Sequence, residues 1–350
     1  MKIIVLGGGA QGRVIARDLA RSLRDAQVAV ADLTQPTLPA LPNLTWIEAD
    51  LADPATVARL LSEHDLGVGA LPSRLGFNAM KAAIEAKRNL VDVSFCAEDA
   101  LTLDGAARAA GITIAPDCGL APGLSHLLVG HMTARHGTPD EVLIMVGGVA
   151  EDASRPFGYV VTWSLDDLLE EYVRPARIVR GGARAETPAF SSLEPVRIDG
   201  VGEMEAFYSD GLRTLIDTLP GVREMGEKTL RWPGHAAAVM PLVKSGGLLD
   251  ELRRHCFANP PRDLVVLVVR LLWGDTPREV SLVDRYDAAT GMTAMGRTTA
   301  YTTSVVAQLA ARGGLREPGV QPLELVARDD KAYGFVLAEL ESRGIRLKGA

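Results

Sequence analysis

The hydrophobic pattern of the first third of the chain alternates between short apolar runs and stretches in which apolar residues recur every three or four positions. The run Lys2–Leu6 precedes a helical pattern from Arg13 to about Arg24, with Ile15, Leu19 and Leu23 on one face. Strands that alternate with helices predict right-handed crossovers and a parallel sheet. The further predicted strands are Val28–Asp32, Leu44–Asp50, Asp65–Pro72, Asn89–Ser94 and Ile112–Asp117, and the further predicted helices lie near Pro54–Glu63, Asn78–Ala86 and Leu103–Ala110.

The pattern changes after Pro122, where short apolar runs are separated by glycine turns. Such runs favour an antiparallel sheet, and Ser164 followed by Asp167 indicates the start of a helix. The predicted strands are Glu141–Val146, Tyr159–Trp163, a hairpin over Ala176–Ala185, Val196–Ile198, Met204–Tyr208, Glu227–Trp232, Val265–Trp273, Glu279–Tyr286 and Met292–Met295. This part is predicted to be a second domain of the α+β class.

Two periodic helices are predicted near the end of the sequence, over Thr298–Arg312 and from about Asp330 to Arg343. We expect them to return to the first domain and cover its sheet. The length of 350 residues suits two domains, predicted as residues 1–122 with 299–350, and residues 123–298.

The first strand leads into a glycine-rich turn, Gly7-x-Gly9-x-x-Gly12, which includes Ala10 and Gln11. Gly7 permits the tight turn, Gly9 lets the backbone approach a pyrophosphate, and Gly12 lets helix and strand pack closely. The anion would bind the free N–H groups at the helix N-terminus. The pattern therefore predicts a doubly wound α/β fold of the Rossmann type that binds a dinucleotide.

Asp32 ends the second predicted strand about twenty residues after Gly12, where this fold places the acid that binds ribose hydroxyls. Its carboxylate would repel a 2′-phosphate, and the following Leu33 and Thr34 offer no arginine to bind one. NAD is therefore predicted rather than NADP. The alternative is a glycine turn and a surface aspartate that bind nothing.

The carboxyl ends of parallel strands line the ligand crevice in this fold, which adds candidates from the later strands. Asp117 could hold a substrate ammonium or accept its proton, although aspartates also often cap a turn or helix. The other predicted residues at this edge are Asp50, Leu51, Ala70, Leu71 and Pro72 for the cofactor, and Ser94 for the substrate.

Composition narrows the possible classes of protein. A formal net charge of −7 gives no basic surface for nucleic acid. The most apolar run, Leu264–Trp273, is too short to cross a membrane, and no signal peptide is evident, so we expect a cytoplasmic protein. The three cysteines are isolated, and the spacing of His126, His131, His136 and His255 does not suggest a metal site, so no metal is predicted.

Several segments resemble the saccharopine dehydrogenase family, and within it most closely the bacterial lysine 6-dehydrogenases. The resemblance covers nearly the whole chain, and its most particular motifs are Asp-x-Gly-x-x-Pro-Gly from Asp117 and Thr-Leu-Arg-x-x-Gly-His from Thr229. It implies oxidation or reduction of a carbon–nitrogen bond of a lysine-like amino acid with NAD(P), and a homodimer formed through the second domain. In the 6-dehydrogenases the ε-amine carbon of L-lysine gives up hydride, and after ammonia loss the product aldehyde closes to a cyclic imine.

The resemblance and the chemistry together suggest substrate residues. Arginine binds both oxygens of a carboxylate, so Arg231 is predicted to hold the α-carboxylate, with Arg213 and Thr214 beside it by resemblance to the family's substrate loop. The amine must lose a proton before hydride leaves, and His235 has the most suitable intrinsic pKa for the base. Asp117 and Tyr208 are competing candidates, and Arg231 and His235 could instead be structural.

Two alternatives stay open. Arg155, in the segment Glu151–Gly158 that departs from the related enzymes, could favour a substrate with an extra carboxylate. A saccharopine- or carboxynorspermidine-type dehydrogenase or reductase acting on a secondary amine is therefore the second hypothesis. A protein that binds NAD without catalysis is the third.

Overall fold

The computed structural model describes residues 1–349 and divides the chain into two units. The first unit contains residues 1–131 and 298–344, and the second contains residues 132–297 and a short segment from Ile345. The division differs from the predicted one in giving residues 123–131 to the first unit and the last residues to the second. The final helices belong to the first unit, as the sequence predicted.

A seven-stranded sheet forms the centre of the first unit. Its strands are β1 (Lys2–Leu6), β2 (Gln27–Asp32), β3 (Leu44–Glu48), β4 (Leu66–Gly69), β5 (Asn89–Asp92), β6 (Thr113–Ala115) and β15 (Gly319–Val320). Every neighbouring pair is parallel, in the order β15-β6-β5-β4-β1-β2-β3. The strand order reverses between β1 and β4, and this is where ligands bind in such sheets.

Helices pack against this sheet because their apolar faces and the β-branched strands bury one another. Those in contact with its strands include α1 (Ala10–Ser22), α2 (Pro54–Ser62), α3 (Ser73–Ala86) and α4 (Asp104–Ala110). The unit also contains α11 (Leu323–Val326), α12 (Asp330–Ser342) and most of α5 (Leu124–His136) and α10 (Ala294–Ala311); α5 ends and α10 begins in the second unit. Asp18 of α1 accepts hydrogen bonds from Ser304 of α10 and from Arg343 after α12. These bonds hold the C-terminal helices against α1.

The second unit is built on an eight-stranded mixed sheet with the main order β10-β11-β12-β7-β13-β14. Its strands are β7 (Glu141–Ala150), β8 (Ala176–Arg180), β9 (Ala183–Thr187), β10 (Glu194–Ile198), β11 (Gly202–Ser209), β12 (Glu224–Arg231), β13 (Asp263–Trp273) and β14 (Thr276–Arg285), and its helices are α6 (Leu165–Val173), α7 (Leu215–Thr218), α8 (His235–Ser245) and α9 (Leu248–His255). The predicted antiparallel arrangement holds except that β7 and β12 are parallel.

Two predicted strands are wrong. Residues 159–162 form no ladder, because Tyr159 and Val161 pack into an apolar cluster under α6, α8 and α9 instead of pairing with a strand. Met292–Met295 forms only a single bridge to Asp287, and α10 begins at Ala294, where Asp263 accepts the hydrogen bonds of the Ala294 and Met295 amides.

A side-chain hydrogen bond connects the last strand of this sheet to the turn before β11. Arg285 at the end of β14 donates a hydrogen bond to the Gly200 carbonyl in the turn between β10 and β11, at 3.3 Å. Strand β13 lies between β7 and β14, and its residues 264–269 are buried in the protomer. These residues therefore offer no free apolar surface for a contact between two protomers. Within residues 1–349 no helix has the length and apolar character needed to cross a membrane.

Candidate functional site

The glycine turn after β1 has the geometry that its spacing predicts. Gly7 has a φ of +104° and packs against the Ala70 carbonyl, which places Ala70, Leu71 and Pro72 beside the turn. A Cβ on Gly12 would overlap the Gly7 carbonyl oxygen, so helix and strand depend on this glycine for their close approach. A Cβ on Gly9 would meet open space. The fold itself therefore places no steric demand for glycine at position 9, and this side of the turn is open to a ligand.

The start of α1 fits a bound anion. No side chain caps the N-terminus of α1, and the first turn begins at Ala10. The side-chain oxygen of Gln11 is buried and accepts no hydrogen bond from the described residues. Free amides at a helix start and an unused buried acceptor fit the phosphates and sugar of a dinucleotide.

Asp32 lies at the end of β2 beside this turn. Its Oδ2 accepts a hydrogen bond from the Gly8 amide at 2.7 Å, and its Oδ1 accepts one from Thr34 at 3.2 Å. Asp50 follows the neighbouring strand β3, and the Ala52 amide donates to its Oδ1. Leu51 is buried next to it. The predicted cofactor residues are thus distributed along one edge of the sheet, after β3, β2, β1 and β4.

Carboxyl groups follow the next two strands at the same edge. Asp92 ends β5 and has no solvent exposure. Its Oδ1 accepts a hydrogen bond from the Ser94 amide at 2.7 Å, and its Oδ2 lies 3.3 Å from the Ser94 hydroxyl. A Cβ on Gly69 would overlap the Asp92 carboxyl, so β4 must carry a glycine there. Burial, with a smaller contribution from the charge of Asp117, raises the pKa of Asp92 to about 7 despite the bonds from Ser94.

Asp117 lies in the loop after β6, is buried, and adopts a left-handed backbone with a φ of +54°. The next residue, Cys118, donates its amide hydrogen to the Asp92 carbonyl at 2.8 Å, which ties the loop to β5. Non-glycine residues in this conformation concentrate at functional sites. The first two amides of α5 are not free to bind a ligand, because the Leu124 and Ser125 amides donate to the Gly119 and Leu120 carbonyls.

A second polar cluster lies within the second unit, around Arg231 at the end of β12. Arg231 is 3% exposed, and its guanidinium donates to the Tyr172 hydroxyl, the Glu171 carboxylate and the Leu230 carbonyl at 2.9–3.0 Å. Glu171 also lies 2.7 Å from the Thr229 hydroxyl. The carboxylate that Arg231 binds in this structure is therefore that of Glu171.

His235 belongs to the same cluster and begins α8, whose first amides are capped by Glu205. Its Nε2 lies 2.9 Å from the Tyr172 hydroxyl and its Nδ1 lies 2.7 Å from the Phe157 carbonyl. Since the Phe157 carbonyl can only accept, Nδ1 carries the proton and Nε2 accepts from Tyr172. Burial and the charge of Arg231 lower the pKa of His235 to about 3. This arrangement favours a positioning role over the proton acceptor that the sequence suggested.

Tyr208 does not join this cluster. It pairs with Lys228 across β11 and β12, and the Lys228 ammonium lies 4.9 Å from its ring centre. Arg231 pairs with Glu205 in the same ladder. Because side chains alternate between the faces of a strand, Tyr208 and Arg231 lie on opposite faces of the sheet. The structure thus separates two of the predicted catalytic and substrate residues.

Arg213 and Thr214 lie in the loop after β11, and both are buried. The loop is fixed by Asp210, which accepts two hydrogen bonds from the Arg177 guanidinium at 2.8 and 2.9 Å. It leaves the sheet near Glu227, four residues or about 13 Å along β12 from Arg231. Arg213 has a φ of +48°, so it shares the left-handed backbone of Asp117.

Three residues of these clusters were not predicted from the sequence: Asp92, Glu171 and Tyr172. Asp92 carried a usable signal, since it ends an apolar strand with a carboxylate as Asp32 does. Glu171 and Tyr172 carried none, because they lie on α6 and their partner Arg231 lies about sixty residues away, at the end of β12. Among residues 1–349 no group of three His, Cys, Asp or Glu side chains could hold a metal ion.

Comparison with protein families identifies the chain. The model described as the saccharopine dehydrogenase NADP binding domain matches residues 3–115, and the model described as the saccharopine dehydrogenase C-terminal domain matches residues 119–345. The chain belongs to the saccharopine dehydrogenase family. The junction of the two matches falls at Pro116–Cys118, in the loop that carries Asp117.

Two of the curated relatives that the chain matches are named saccharopine dehydrogenase [NADP(+), L-glutamate-forming]. The protein from Pyricularia oryzae is 32% identical over 228 residues, which are 59% of this chain and 48% of the relative. The protein from Schizosaccharomyces pombe is 26% identical over 300 residues, 81% of this chain and 66% of the relative. The matched regions thus span about half to two thirds of these relatives.

A solved structure has the same fold along nearly the whole chain. Apo saccharopine dehydrogenase (L-Glu forming) from Saccharomyces cerevisiae superposes with a TM-score of 0.75 and covers 99% of this chain and 98% of its own. The sequence identity is 19%, so this likeness concerns the fold. It supports the α/β architecture with a parallel nucleotide-binding sheet and a second, mixed sheet.

Proposed function

We propose that the protein is an NAD-dependent dehydrogenase that oxidises the CH–NH2 group at the ε-carbon of L-lysine. The observation that carries this proposal is the edge of the parallel sheet, where a dinucleotide-type glycine turn and two buried carboxyl groups, Asp92 and Asp117, follow adjacent strands. A carboxylate such as that of Asp117 suits an amine substrate. The product would be 2-aminoadipate semialdehyde, which closes to piperideine-6-carboxylate, with release of ammonia.

The choice of NAD rests on Asp32. Its carboxylate is fixed beside the glycine turn by the Gly8 amide, and Leu33, which follows it, is 63% exposed and apolar. A 2′-phosphate would meet a negative charge at this position without a neighbouring arginine. The relatives' names specify NADP(+), so the cofactor is the point on which this chain is proposed to depart from them.

The chain's own residues suggest how the reaction would proceed. NAD, when bound, supplies the hydride acceptor. The N-terminus of α1 and Asp32 would orient it, and Asp117 would bind the ε-ammonium and take the proton that must leave before oxidation.

A second candidate is oxidation of a secondary amine such as saccharopine. It is favoured by the names of the relatives and by Arg213, since a buried arginine suits a substrate with a second carboxylate.

The test is absorbance of the reduced nicotinamide with NAD or NADP and a panel of L-lysine, L-ornithine, L-arginine and saccharopine. NADH formation with lysine alone supports the proposal, whereas turnover of saccharopine alone favours the second candidate. If no substrate yields reduced nicotinamide but NAD binding is measurable, a non-catalytic nucleotide-binding protein is favoured. In the same assay Asp32→Ala should lose the preference for NAD, with Asp32→Asn as the variant that keeps an acceptor for the Gly8 amide.

A further inference from the structure

Asp92 is a fully buried carboxyl group that the proposed reaction does not use directly. Its hydrogen-bond partners are the amide and the hydroxyl of Ser94. Among the described residues, no positively charged side chain is paired with the Asp92 carboxyl group. The titratable groups close to it are the Asp117 carboxylate and the buried Cys118 thiol. Glu324 and its partner His126 lie farther away, beyond Cys118. Burial, with the nearby carboxylates, also raises the pKa of Cys118, which keeps the thiol uncharged.

The geometry determines where a proton on Asp92 must point. Oδ1 accepts the short bond from the Ser94 amide, so a protonated Asp92 carries its hydrogen on Oδ2. The hydrogen-bond partner of Oδ2 in the described residues is the Ser94 hydroxyl, whose oxygen lies 3.3 Å away. Because the Ser94 hydroxyl oxygen then accepts the hydrogen bond from Asp92, the hydroxyl hydrogen of Ser94 points away from Asp92. When Asp92 ionises, the direction reverses, and Ser94 donates to Asp92.

We propose that Asp92 is a positioning residue, which holds a proton and thereby makes the Ser94 hydroxyl a donor toward an acceptor oxygen of a bound ligand. Two oxygens of the proposed reaction have this chemistry, the α-carboxylate of the amino acid and the carboxamide of the nicotinamide. The inference deepens the proposed function and rests on it. When Asp92 ionises near neutral pH, the Ser94 hydroxyl would donate to Asp92 instead of to the ligand, and the affinity for that ligand would fall.

The first experiment needs neither substrate nor cofactor. A buried acid whose pKa rises on folding stabilises the folded state at low pH, and that contribution is lost as the pH increases from about 4 to 7. The melting temperature of Asp92→Asn should therefore rise relative to that of the wild type as the pH increases over this interval. Above pH 8 the difference between the two melting temperatures should stay constant. The exposed Asp25→Asn serves as the control and should run parallel to the wild type.

Parallel curves for Asp92→Asn and the wild type would overturn the proposal, whatever the enzyme does. If Asp92→Asn does not fold, infrared spectroscopy of the wild type replaces it. A protonated-carboxyl band that is present at pH 6 and lost by pH 8, and that shifts in Ser94→Ala, supports the proposal. Absence of the band at pH 6 contradicts it.

The second experiment compares ligand binding at pH 6 and pH 8 in the wild type, Asp92→Asn and Ser94→Ala. An asparagine amide donates to Ser94 as a protonated Asp92 would, so Asp92→Asn should keep the affinity of the wild type at pH 6 and lack the weakening of about tenfold at pH 8. Ser94→Ala should be weak at both. A difference in NADH affinity identifies the carboxamide, and one confined to the KM of lysine identifies the carboxylate. If all three proteins change alike, the role assigned to Asp92 is refuted.

Discussion

At the scale of single residues, each unit buries an ionisable side chain, and the two side chains differ in whether a residue of opposite charge lies beside them. Arg231 is compensated by Glu171, which is 16% exposed, whereas Asp92 has no counterion among the described residues. A guanidinium cannot lose its proton, so it needs a partner, while a carboxyl group can take one up. This difference explains why one cluster is an ion pair and the other has a shifted pKa.

Removing the compensation of Arg231 should be costly. Glu171→Gln leaves a buried cation without its carboxylate and is expected to destabilise the second unit by about 3 kcal/mol. Urea unfolding followed by tryptophan fluorescence measures this, since three of the four tryptophans lie in the second unit.

The neighbouring Glu170→Gln is the control, because Glu170 is half exposed and Arg174, its partner at 3.5 Å, also has Asp210 nearby at 3.7 Å. It should change the unfolding free energy by less than about 1 kcal/mol. Equal effects of the two variants would show that Glu171 does not compensate Arg231.

At the scale of elements, the sequence predicted what local chemistry determines. Local sequence patterns predicted the glycine turn, the helix start at Ser164 and the positions of the first six strands along the chain. Each of these features is present. The second unit was less predictable, because β12 pairs with β7 some eighty residues earlier. The same applies to the site: the Asp32 turn is local, whereas the Arg231 cluster depends on side chains that only the folded sheet brings together.

The two glycines of the turn should separate folding from binding. Gly12→Ala places a methyl group against the Gly7 carbonyl and should lower the melting temperature markedly. Gly9→Ala meets open space, so its melting temperature should change little while its NAD affinity falls by at least about tenfold.

Calorimetric titration with NAD and thermal melts of both variants check this pair. Unchanged NAD affinity in Gly9→Ala would mean that no phosphate approaches the turn at this residue.

At the scale of the whole molecule, a homodimer is expected from the family resemblance. Strand β13 cannot supply the contact with residues 264–269, which are buried within one protomer. Exposed apolar side chains of the second unit include Val173, Leu193 and Phe257. An interface in this unit would need to draw on such residues.

Size-exclusion chromatography with light scattering should give twice the mass of one chain, at micromolar concentration. The mass of a single chain under the same conditions would contradict the expectation of a dimer.

The first unit is assembled from two separate parts of the chain, residues 1–131 and 298–344. A ribosome therefore completes the glycine turn, Asp32 and Asp117 well before it makes α10 and α12, which cover the same unit. At 5–20 residues per second, the intervening stretch takes about 10–30 s to synthesise. During that time β6 lacks its neighbour β15, and Asp18 lacks Ser304 and Arg343. The nascent first unit thus spends many seconds with an uncovered sheet edge, and its vulnerability in the cell depends on the speed of translation.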